Sequence, residues 1–104
     1  MSFNGNEGAI ITLEKGSEMT ARFRRTISNG DTLGQFIGSN LLEKILAQDN
    51  CVGIRFYYAI DENNNKNLVC VGVDANENDL YEGILADEFK RCPPHSSNSN
   101  PLNS

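Results

Sequence analysis

The chain has 104 residues, a formal charge of −5 and 38% hydrophobic residues, a size that predicts one domain with a modest core. The acidic balance argues against nucleic-acid binding, which needs a basic face to neutralise phosphates. No apolar run approaches the roughly 18 residues of a membrane span.

The opening MSFNGNEG has neither a basic n-region nor an apolar h-region, so it does not read as a signal peptide. Three cysteines cannot pair completely. Together these features point to a reducing, cytoplasmic setting. Residues 1–9 are polar and glycine-bearing and predict a loose N-terminus. Thr12 is a suitable N-cap for a helix running to about Ile27, with Leu13, Gly16, Met19, Phe23 and Ile27 on one arc. Arg22, Arg24 and Arg25, shared with Glu14 and Glu18, form its solvated face. Gly16 costs the helix about 1 kcal/mol relative to Ala, so its place on the apolar arc implies close approach of another segment. Gly30, within Asn29-Gly30-Asp31, supplies a left-handed residue beyond the helix.

Leu33 to Gly38 reads as a brief extended segment carrying Phe36 and Ile37 inward. A second helix comes next, with Asn40 and Glu43 in capping-box spacing. Leu41, Leu42, Ile45 and Leu46 form its buried stripe, and Asp49-Asn50 ends it. From Cys51 to Asp74, two runs rich in β-branched and aromatic residues flank the polar turn DENNNK and predict an antiparallel hairpin. Val52, Ile54, Phe56, Tyr58 and Ile60 share one face of the first strand. Gly53, Arg55, Tyr57 and Ala59 share the other. Pairing Ile60 with Asn67 sets Cys70 opposite Tyr57. Asp74 to Asp79 (DANEND) is a second turn. Leu80 to Phe89 reads as a further strand broken near Glu82-Gly83, or as a short helix. PPHSSNSNPLNS has no apolar pattern and predicts a disordered tail over 93–104, which leaves 10–92 as the domain. The predicted fold is α+β: two helices packed on one face of a small antiparallel sheet, either a hairpin or a three-stranded meander.

The strings CVGIRFYYAID, LVCVGVDANENDLYEGILAD and CPP, within residues 10–95, resemble a group of small uncharacterised bacterial proteins found mainly in the Bacteroidetes. Their similar pattern runs CVGIR, an aromatic pair, a turn, a valine-rich strand, D-A-N-x-N-D-L and CPP. The resemblance implies a domain family and carries over no catalytic residue. Where the pattern often places another cysteine after CPP, this chain has His95 and Ser96.

Cys51, Cys70, Cys92 and His95 are the residue types of a zinc set, and Cys92-Pro-Pro-His95 has close-ligand spacing, but the companion pair is missing. Cys70 reads more simply as a small core residue. A Cys51–Cys92 bridge requires the last strand to return beside the first. Asp61, Asn63 and Asn65, and again Asp74, Asn76 and Asn78, imitate the first ligands of a calcium loop. Position six should be Gly and position twelve Glu; the first loop has Lys66 and Gly72 there, the second Asp79 and Leu85. Asx-turns account for both sets.

No G-x-S-x-G elbow, phosphate-binding glycine loop or H-E-x-x-H occurs. Cys92 and His95 are separated by two prolines, which predict an extended chain that keeps nucleophile and base apart. The pairs Asp79/Glu82 and Asp87/Glu88 read as solvated. The expectation is therefore no catalytic residue and no cofactor. Arg55, Tyr57 and Tyr81 are the interface candidates, since tyrosine and arginine are enriched in binding hot spots. The predicted function is a non-enzymatic interaction or structural module, binding a protein partner or self-associating through the open sheet face or an edge strand. The alternative is a small-ligand or metal-binding domain, with Cys92, His95, Asp74, Asn76 and Asn78 as candidate ligands.

Overall fold

Alternating apolar and polar residues over two long runs build the longest ladder of the molecule. In the computed structural model, which describes residues 2–104, the elements in chain order are α1 (Leu13–Arg24), β1 (Gly34–Phe36), α2 (Ser39–Leu46), β2 (Cys51–Ile60), β3 (Lys66–Asp74), β4 (Leu85–Ala86) and β5 (Lys90–Cys92). Strands β2, β3 and β4 form an antiparallel meander in that order, and β1 pairs antiparallel with β5. The α+β class and the three-stranded meander are as predicted. Within Leu80 to Phe89, residues 81–83 form a turn and Leu85–Ala86 alone is strand.

The chain divides into two compact units: residues 2–7 with Ile37–Phe89, and Gly8–Phe36 with Lys90–Ser104.

In the first unit, Ile60 faces Lys66 and Cys70 faces Phe56, one residue away from the predicted pairing. The cause is the loop. Asp61 donates its N–H to Asn65 O at 2.9 Å, and Asn64 donates to Asp61 O at 3.0 Å with φ of 66°. That is a hydrogen-bonded β-turn followed by a left-handed residue, a common closure for a short hairpin loop. A register shift between Cys51 and Gly53 leaves Val52 unpaired. Val52 lines a cleft with Gly53, Ile54, Arg55 and Val73.

Helix α2 covers one face of the meander. Its Ile45 is fully buried with Cys70 and Ala86, and Leu41, Ile37, Cys51, Ile54, Ile84 and Phe89 pack around them. Burying a side chain such as Ile45 is worth about 1.5–3 kcal/mol. Gly38, not Asn40, is the N-cap of α2, and no side chain caps it. Just past the helix, Gln48 ties three segments together. Its Nε2 donates to Ile45 O at 2.9 Å, and its Oε1 accepts the Ile84 N–H at 2.9 Å. The amide lies so close to Gly72 and Gly83 that a Cβ at Gly72 would come within 2.8 Å of Nε2, and one at Gly83 would collide with Oε1.

In the second unit, the Thr12 hydroxyl accepts the Lys15 N–H at 3.1 Å, the predicted cap, worth about 1 kcal/mol. The helix ends at Arg24, before Ile27. Gly16 approaches Ile11 and Leu102 as its position implied, with the nearest atom 3.5 Å from where a Cβ would stand. Gly30 has φ of 86°. Met19 and Phe23 of α1 line a groove with Leu33 and Leu102. The segment after Pro93, expected to be disordered, is laced by hydrogen bonds here. Arg24 donates to Leu102 O at 2.7 Å and to Ser104 O at 2.9 Å, and the Asn103 amide group donates to Ser97 O and Asn98 O. No helix among the described residues is long and apolar enough to cross a membrane.

Candidate functional site

The face of the meander opposite α2 carries the odd-numbered residues of β2 and β3. Gly53 pairs with Val73, Arg55 with Val71 and Tyr57 with Val69. Val71 and Val73 are only 3% exposed, so this face is closed at one end. Part of the cover is the N-terminal segment, expected to be loose. Phe3 donates its N–H to Ala75 O at 2.8 Å, and the Phe3 ring lies 5.9 Å from the Arg55 guanidinium carbon, in cation–π range. The Glu7 carboxylate accepts the N–H groups of Asn4 at 2.9 Å and Gly5 at 3.0 Å. Backbone hydrogen bonds from Asn4, from Glu7 itself and from Gly5 hold that carboxyl below the ordinary carboxylate range. Phe3, Glu7, Val52, Gly53, Arg55 and Val73 line an open cleft of about 300 Å³.

Asp79 organises the polar end of the site. Its Oδ1 lies 2.5 Å from Arg55 Nη1, and its Oδ2 accepts the Tyr57 hydroxyl at 2.5 Å. Arg55 also donates through Nη2 to Glu77 O at 3.3 Å. Tyr57, then Asp79, hold the guanidinium above its ordinary value. The DANEND loop puts Asp79 in place. Asp74 Oδ1 accepts the Asn76 and Asn78 N–H groups at 2.9 and 3.0 Å, and Glu77, with φ of 69°, donates to Asp74 O. Asp79 then forms a bridge with Val73, which sets its side chain beside Arg55 and Tyr57. This cluster fixes two large side chains in one arrangement.

The structure joins two of the three interface candidates. Arg55 and Tyr57 meet at Asp79, whereas Tyr81 takes no part in those hydrogen bonds and stands 70% exposed between Asp79 and β4. Asp79, weighed as a partner of Glu82 on sequence grounds, pairs with arginine instead. Its signal was the spacing from Asp74, which carries it one step past the turn and back beside β3, from where its carboxylate reaches Arg55 and Tyr57.

Among the described residues no three His, Cys, Asp or Glu side chains are grouped to hold an ion. Asp61 Oδ1, like Asp74 Oδ1, accepts two backbone N–H groups, from Asn63 and Asn65 at 2.9 Å each. All three cysteines are free thiols. Burial pushes the Cys70 thiol up, which disfavours the reactive thiolate. Cys51 Sγ contacts Gly53 O at 3.2 Å, and Cys92 Sγ lies 2.9 Å from Ser96 Oγ. β5 returns beside β1, not beside β2 as the proposed bridge required. The Cys92–His95 segment is not extended: the His95 N–H returns to Arg91 O at 3.0 Å.

Comparison with known proteins finds no matching family model, no matching curated protein and no matching solved structure.

Proposed function

We propose that this chain is a non-enzymatic interaction module that self-associates through its meander, with Arg55 and Tyr57 at the contact surface and Tyr81 on its margin. The observation that carries the reading is the Arg55–Asp79–Tyr57 cluster. It presents a tyrosine and an arginine already held in one geometry, so less rotamer entropy is lost on contact. Tyr57 remains 47% exposed while it is held. The setting we propose is cytoplasmic, and kinship to the small Bacteroidetes proteins is part of the same proposal.

Size-exclusion chromatography with light scattering tests the reading. The expected mass rises with concentration toward twice the 11.5 kDa of one chain, and Tyr57→Ala lowers it. A strict monomer at high concentration, unaffected by Tyr57→Ala, overturns the proposal.

A further inference from the structure

Strand β2 is an edge strand. It pairs with β3 on one side, and among the described residues the sheet order places no strand on the other. Because Asp61 and Asn65 close the hairpin with a hydrogen-bonded pair, alternation along the antiparallel ladder makes Ala59, Tyr57, Arg55 and Gly53 the residues that bond to β3. The N–H and C=O groups of Ile54, Phe56, Tyr58 and Ile60 therefore point outward. Consistent with this phase, the Gly72 carbonyl, opposite Ile54, turns away from β2 to accept the Leu80 N–H at 2.8 Å. The residues with outward backbones also expose large apolar side chains: Phe56 43%, Tyr58 94% and Ile60 69%.

Edges in monomeric proteins are blunted by proline, lysine, short length or a bulge. β2 has ten residues, no proline and no lysine. Its one irregularity is at Cys51/Gly53, far from the Phe56–Ile60 end. Its one charged residue, Arg55, is already paired with Asp79.

We infer that β2 pairs antiparallel with β2 of a second copy about a twofold axis at Tyr57, joining two meanders into one continuous sheet. The inference rests on the self-association proposed for the meander and names its surface and register. The strand is complementary to itself. With Tyr57 opposite Tyr57, outward-facing residues meet outward-facing residues: Phe56 of one copy faces Tyr58 of the other, and Ile54 faces Ile60. Arg55 falls opposite Ala59, so no like charges meet, and none of the chain's acidic residues lies on β2. At roughly 200 Å² per aromatic side chain, Phe56, Tyr57 and Tyr58 with Ile60 leave on the order of 500 Å² exposed per copy. Pairing in the plane of the sheet covers the flanks of these side chains together with the strand backbones. Tyr57 lies at the dyad, which also explains why its orientation is fixed by Asp79.

The test is residue-resolved amide exchange on the full chain, from low to high micromolar concentration, with light scattering in parallel. The expected result is a mass of two chains at high concentration, with the Phe56, Tyr58 and Ile60 amides slowed at least roughly tenfold as the dimer forms. The inward amides of Tyr57 and Ala59 are protected at every concentration. Tyr58→Pro removes only an outward N–H, which an edge strand tolerates, and is expected to return the mass to one chain. A single-chain mass throughout overturns both this inference and the self-association beneath it. A dimer whose outward amides exchange freely, or one that survives Tyr58→Pro and Ile60→Lys, overturns the edge pairing and leaves self-association standing. The wild-type exchange data decide the matter even if a variant fails to fold.

Discussion

The loops Asp61–Asn65 and Asp74–Asn78 have the same backbone and different consequences. In each, an aspartate carboxylate accepts the N–H groups two and four residues on. In each, the fourth residue is left-handed, Asn64 at 66° and Glu77 at 69°. The first loop closes a hairpin. The second also receives the Phe3 N–H on Ala75 O, offers Glu77 O to Arg55, and delivers Asp79 to Arg55 and Tyr57. One local motif thus serves as a plain turn at one end of β3 and as the support of a site at the other. The difference lies in the residues just beyond the motif and in the strand that stands beside it.

Breaking the two carboxylates should separate these roles most strongly. Asp74→Ala leaves two loop N–H groups without their acceptor and frees Asp79, and an expected loss of about 2–3 kcal/mol is readable in urea unfolding. Asp61→Ala removes the same pair of bonds from a turn that positions no Asp79, for an expected loss of about 1 kcal/mol. Equal losses would show that Asp74 supports nothing beyond its own turn. Tyr57→Phe deletes one hydrogen bond to Asp79, with an expected cost of about 1 kcal/mol or less.

Relieving the left-handed residues tests the same contrast from the other side. Glu77→Gly is expected to gain about 1 kcal/mol in thermal unfolding, because positive φ costs a glutamate more than a glycine. Asn64→Gly should gain only a few tenths, since asparagine tolerates that region. The smallest effect is acidic. The folded state holds Glu7 below its ordinary range, so its contribution is present above that range and lost as the pH falls through the folded value. In amide spectra, Asn4 and Gly5 should titrate together with a midpoint below that of a free glutamate. A midpoint at the ordinary value would mean the carboxylate is not held.

Signals confined to a few neighbouring residues were the legible ones. The Thr12 cap, the left-handed Gly30, the hairpin and both Asx-turns each rest on local hydrogen bonding or side-chain period. Arg55 and Tyr57 were legible as a pair because strand alternation puts them on one face. What escaped depends on distant partners or on one-residue phase. The left-handed Asn64 shortens the loop and shifts the register by one, and the irregularity at Cys51/Gly53 leaves Val52 without a partner on β3. Gln48, Phe3 and Glu7 look like ordinary surface residues until the fold brings Ile84, Arg55 and the turn amides to them. β5 has no apolar run to announce it; only its partner β1 makes it a strand. The helix α1 was legible as an amphipathic stripe, but not that it sits in the unit of Leu33 and Leu102.

The most direct measurement of the central claim, that the Asp74 loop positions the Arg55–Tyr57 surface, is the NMR shift of the Arg55 side-chain N–H and the Tyr57 ring in two variants. Asp74→Ala should move both signals while the β2–β3 amides stay in place. Asp61→Ala should leave both where they are. If Asp74→Ala moves neither signal, or if the two variants move them equally, the loop does not hold the site and the account is contradicted.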